Sequence, residues 1–201
     1  MEIFRKIFVK KLKFEDFLKN EKNAIKSIQN IMNTLQSELD NIINYNNELN
    51  KKVSLELRKK SISREDFHSL SKNYFVLNIY FEDLLRIRPK ANQIINTIKQ
   101  NYEKIIEADK EKENFKKFKE LLDKIVNLEE HIIKNTRLAM NYLSEILSIL
   151  NVFKRNEKIV KDYEEKFNDT RKNLQQLIQE TVTVERKELS ECIRSIINFL
   201  Y

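Results

Sequence analysis

The chain has 201 residues, of which 41% are hydrophobic and 34% charged, with a net charge of +7, no glycine, no tryptophan, one proline and one cysteine. Without glycine, the phosphate-cradling loops of P-loop and dinucleotide-binding proteins are excluded, because they need positive φ or bare backbone against the ligand. A single cysteine, Cys192, excludes an internal disulfide; flanked by Leu189, Ile193 and Ile196, it reads as a structural thiol in a reducing compartment.

The N-terminal segment is the first distinctive element. Four of the twelve phenylalanines fall in the first seventeen positions. On a helical wheel Ile3, Phe4, Ile7, Phe14 and Leu18 share one side and Arg5, Lys6, Lys13 and Asp16 the other, with Lys10 and Lys11 at or inside the apolar arc, where their stems snorkel. Residues 1–15 are therefore expected to form a basic amphipathic helix ahead of a single helical domain over 16–201. Its composition suits the headgroup region of an anionic membrane, with Ile3, Phe4, Arg5, Lys6, Ile7, Phe8, Lys10, Lys11, Phe14 and Leu18 as contact candidates. Docking of this helix on the rest of the fold is the competing expectation. Charges every few residues deny it the unbroken apolar core of a secretory signal, and no run approaches the length of a membrane span, so the expected location is the cytoplasm, at the inner face of a membrane where lipid is the partner.

The first long arm, roughly 16–58, carries the seam Ile25, Ile28, Met32, Leu35, Leu39, Ile42, Leu49 and Val53. It ends in the basic group Lys51, Lys52, Arg58, Lys59, Lys60 and Arg64. Lysine and arginine exceed acids by 19 to 12 in residues 1–100 and match them, 19 to 19, in residues 101–201, so the whole excess lies in the first half. The basic end is the candidate for a nucleic-acid contact, a reading disfavoured because the charges are scattered on helices rather than gathered in a recognition module.

Ser63 followed three residues later by Asp66 reads as a capping box and starts the second arm, roughly 64–109. Pro89 lies inside this arm and predicts a kink or a division into two helices. The stretch from Tyr74 to Phe81 is apolar nearly all round a helix, so one part enters a bundle seam while the remainder becomes an exposed aromatic patch; Tyr74, Phe75, Leu77, Tyr80 and Phe81 are the protein-interface candidates. Glu65 and His68 have the Glu-x-x-His spacing of half a di-iron motif, but the second half is missing.

An all-polar break over 107–114 precedes the third arm, 114–153. There Phe115, Phe118, Leu122, Ile125, Glu129, Ile132, Thr136, Ala139, Leu143, Ile146, Leu150 and Phe153 alternate three and four without error. Glu129 is the acid on this apolar seam. A weaker break at 154–157 leads to the fourth arm, 156–200, whose expected seam runs Val160, Tyr163, Phe167, Leu174, Leu177, Thr181, Leu189, Ile196 and Leu200.

Arms of similar length joined by short links predict an all-α fold, an elongated antiparallel four-helix bundle with an extra N-terminal helix. A three-helix curved dimer and two bundles in tandem are the competing architectures. No constellation of nucleophile, base and acid is present, and one cysteine with two histidines gives no zinc spacing. The sequence therefore predicts a non-enzymatic interaction or scaffold protein with no catalytic residue, metal or cofactor. Its expected partner is a protein or a second copy, together with an anionic membrane surface. The alternatives are a nucleic-acid-associated structural protein and a metal-binding or enzymatic bundle in which Glu65, His68 and Glu129 converge.

Overall fold

The computed structural model describes residues 13–56, 63–87, 90–103, 112–155 and 161–201. Among them α1 spans Phe14–Glu56, α2 Arg64–Arg86, α3 Ala91–Glu103, α4 Lys112–Arg155, α5 Lys161–Leu177 and α6 Thr183–Leu200, with a π-helical segment Ile178–Val182 joining α5 to α6. No strand occurs among the described residues. Each of the three expected breaks adjoins a helix end: α2 starts at Arg64, α4 starts at Lys112 and α4 ends at Arg155. α1 begins at Phe14, so Phe14 and Glu15 belong to the long arm rather than to a separate N-terminal helix.

The start of α2 follows from its cap. Ser63 has extended backbone, its Oγ accepts from the Asp66 N–H at 3.1 Å, and the Asp66 carboxylate accepts from the Ser63 N–H at 3.2 Å. Two otherwise unpaired donors are thereby satisfied. α2 ends at Arg86, where the N–H of the cap residue Ile87 reaches back to the Asp83 carbonyl at 3.0 Å. Helical bonding resumes where the Ile94 N–H reaches the Lys90 carbonyl at 3.0 Å. The second arm is thus two helices, not one kinked helix.

Cross-helix contacts fix the topology. Tyr45 of α1 donates to Asn73 of α2 at 3.1 Å, and Asn101 of α3 donates to Glu21 of α1 at 2.9 Å, so the second arm runs back along the first. Phe67 of α2 meets Phe153 of α4 at 5.1 Å between ring centres, while Lys99 of α3 pairs with Asp123 near the start of α4. Lys166 of α5 pairs with Glu145 at 2.9 Å and Lys124 of α4 with Glu191 of α6 at 3.2 Å. Gln36 of α1 bonds Ser190 of α6 at 2.7 Å, and Arg186 pairs with Asp40, closing the ring of four antiparallel arms.

The core is one continuous cluster fed by every arm. All twelve positions of the α4 seam and all eight of the α1 seam are buried. At 1.5 Å per residue, α1 and α4 are each about 65 Å long, and α1, α4 and α6 end together. Their shared end is sealed by Phe14 and Phe17 of α1, Phe115 and Phe118 of α4 and Phe199 of α6, with ring centres 4.9–6.4 Å apart.

The fourth arm departs from its expected seam. Tyr163 is exposed, and Leu177 and Thr181 are only half-buried; Ile178 and Val182 take their inward places. The observed core positions Thr170, Leu174, Ile178, Val182, Glu185, Leu189, Cys192 and Ile196 contain three consecutive spacings of four. An ordinary α-helix at 3.6 residues per turn drifts off its seam over such a run. The wider π turn absorbs the extra residue and holds Ile178 and Val182 on the core side.

Candidate functional site

The apolar stretch of α2 is divided by the bundle between two opposite faces. Phe67, Leu70, Tyr74, Leu77, Phe81 and Leu84 repeat at three and four and point inward. The interface candidates Tyr74, Leu77 and Phe81 are therefore core residues, 0–1% exposed, because α2 must use one aromatic stripe to fill the space between α1 and α4. Tyr80 is half-buried, its ring 5.5 Å from that of Tyr45.

Phe75 alone of the five candidates stands in solvent, 55% exposed, joined by Ile79 at 39%. One turn apart, they form the apolar centre of an outer stripe that runs Glu65, His68, Lys72, Phe75, Ile79, Glu82 and Arg86, again at spacings of three and four. A second 3–4 stripe directly opposite the core stripe is a helix face prepared for another helix. Its flanks are polar: Arg86 pairs with Glu82 at 3.6 Å and Asp83 at 3.3 Å, and Asn78 donates to Glu82 at 2.9 Å. Lys72 makes no ion pair among the described residues.

Two membrane-contact candidates also belong to the interior. Phe14 is 7% exposed inside the phenylalanine end cluster, and Leu18 packs against the core beside Phe199 and Leu200. The physical reason is that the apolar face carrying Phe14, Phe17 and Leu18 is the one that α1 turns toward α4 and α6. Ile3, Phe4, Arg5, Lys6, Ile7, Phe8, Lys10 and Lys11 lie outside the described residues. Of the basic-end candidates, Lys51 and Lys52 are exposed near the end of α1 and Arg64 is exposed at the start of α2, whereas Arg58, Lys59 and Lys60 lie outside the described residues.

The residues once grouped for metal chemistry do not meet. Glu65 and His68 face outward from α2, while Glu129 is 5% exposed inside α4, and no group of three metal-ligating side chains forms among the described residues. Glu129 instead lines a cavity of about 10 Å³ with Leu35, Leu84, Leu85, Ile132, Ile133 and Thr136, and its Oε2 has no hydrogen-bond partner among the described residues. Burial in this apolar lining, with a smaller contribution from Glu130, pushes its carboxyl up to about 7.

Glu185 is a second buried acid that the sequence reading missed, because the slip at the π segment hides it from a regular seam. It is 5% exposed, accepts from Asn135 of α4, and is also pushed up to about 7, burial outweighing that hydrogen bond. Cys192 is buried at 1% exposure and burial raises its thiol above the ordinary value, in keeping with a structural role. No helix among the described residues is long and apolar enough to cross a membrane. Comparison with protein-family models, with curated proteins and with solved structures gives no match.

Proposed function

We propose that the protein is a non-enzymatic, cytoplasmic interaction scaffold: a rigid helical bundle that offers helix faces to its partners. The observation that supports this most is the outer stripe of α2. Exposed phenylalanine and isoleucine at one-turn spacing, framed by charged residues, are costly to leave in water and serve no purpose in packing this bundle. Aromatic residues at such centres carry most of the energy of a protein contact. The basic and apolar residues of the 3–11 sequence add a peripheral contact with anionic lipid.

Replacement of Phe75 by the photoreactive p-benzoylphenylalanine in cells that make the protein tests the scaffold reading. Irradiation is expected to give discrete crosslinked products of defined mass, absent when the same group replaces the exposed Lys172 on α5. Uncrosslinked chain at both positions contradicts it.

A further inference from the structure

We infer that the partner of the α2 outer face is a second copy of this chain, docked antiparallel through a two-fold axis that passes midway between Phe75 and Ile79. The inference rests on the scaffold reading above and names its partner. The reason is a symmetry in the stripe itself. Reflection about position 77 exchanges Phe75 with Ile79 and Lys72 with Glu82. An isologous pair of antiparallel helices therefore sets each Phe75 against the other chain's Ile79, and each Lys72 against the other chain's Glu82. One apolar centre and two interchain ion pairs arise from a single face, as self-complementarity requires. Two copies in parallel register would instead place lysine against lysine and glutamate against glutamate.

The local charge pattern fits this exchange. Lys72 is exposed and makes no ion pair among the described residues, so it is available to a partner glutamate. Glu82 is half-exposed, and when it turns to the other copy Arg86 keeps Asp83 at 3.3 Å. Phe75 lies level with Tyr45 of α1, which donates to Asn73 and packs its ring at a tilt against Tyr80. Tyr45 is about 45 Å along α1 from Phe14, so the patch lies far from the phenylalanine-sealed end. The contact is short, so the dimer belongs among small, weak interfaces and forms as concentration rises.

Charge reversal in one chain and its complement in another supplies the test. Sedimentation velocity is run on the full chain, on Lys72→Glu, on Glu82→Lys, on the equimolar mixture of those two, and on the chain carrying both changes, each checked for helicity by circular dichroism. The wild-type chain is expected to shift from monomer to dimer with concentration, and each single variant to associate about tenfold or more weakly, since two attractive contacts become repulsive. The mixture and the doubly changed chain are expected to recover association, because both restore opposite charges across the axis. A monomeric wild-type chain, single variants that associate normally, or a mixture no better than its components each overturn the inference. If the inference falls while benzophenone at position 75 still gives adducts of another mass, the scaffold reading stands with a different partner; absence of any adduct overturns both.

Discussion

A chain that starts at Lys13 is expected to melt like the full protein, whereas one that starts at Lys19 is expected to lose much of its stability. The six residues between these start points include Phe14 and Phe17, which are 7% and 2% exposed and hold the end cluster together with Phe115, Phe118 and Phe199. Truncation of a buried phenylalanine costs about 3–5 kcal/mol through lost burial and the cavity left behind. Against a total of about 5–15 kcal/mol for a typical domain, losing both rings frays the ends of α1, α4 and α6. Phe14→Ala alone, in the full chain, is expected to lower the melting temperature by about 10 °C, on the scale of a few degrees per kcal/mol for a chain of this size. The same pair of truncations separates fold from membrane contact: the chain from Lys13 is expected to keep its fold yet no longer sediment with anionic vesicles that capture the full chain. Equal melting of the two truncated chains contradicts the end cluster, and vesicle capture of the Lys13 chain contradicts the lipid contact by residues 3–11.

The second large effect is a loss of stability as pH rises. In the folded chain Glu129 and Glu185 hold their protons up to about 7, whereas the unfolded chain releases them near 4.5. Between those values the folded state binds more protons, so raising the pH favours unfolding. The extra stability is fully present below about 4.5, declines through the window and is gone above about 7. Each group contributes on the order of 2 kcal/mol after allowance for water reaching the carboxyl. Glu129 dominates the argument because its Oε2 has no partner among the described residues, while Asn135 compensates Glu185 in part. Urea unfolding at pH 5 and pH 8 is expected to show the wild-type chain weaker at pH 8, with the difference largely removed in Glu129→Gln/Glu185→Gln. A profile that is flat, or steeper in the double variant, contradicts the buried-acid assignment.

The legibility of the fold varied with the regularity of the apolar spacing. Every position of the α4 seam is buried, Glu129 and Thr136 included, because an unbroken alternation of three and four defines one inward face; Leu121, Leu128 and Ile149 beside the seam are buried as well. Ser63 and Asp66 located the start of α2 because a cap is a local structure whose partners lie within four residues. The fourth arm departs from its expected seam at Leu177 and Thr181 because a π turn adds a residue without leaving a proline or glycine to mark it, while Leu189 and Ile196 beyond the turn are buried as expected. Glu185 disappeared from view for the same reason. Phe14 and Leu18 were assigned to lipid because amphipathicity reports that a face will be covered and not what will cover it. In the Tyr74–Phe81 stretch, periodicity alone left the choice of inward stripe open. The neighbours of α2 settle it: Phe153 beside Phe67 and Phe167 beside Tyr74 turn Phe75 and Ile79 outward.

The account depends above all on α2 having one face that builds the fold and an opposite face that is free to work. Chemical denaturation in dilute solution of Phe75→Ser/Ile79→Ser beside Leu77→Ala measures both faces at once. The outward pair is predicted to change stability by less than about 0.5 kcal/mol, as surface substitutions do, and the inward leucine, 0% exposed, to cost about 3 kcal/mol. A loss from the outward pair as large as that from Leu77 contradicts the account, since it means that Phe75 and Ile79 are part of the core.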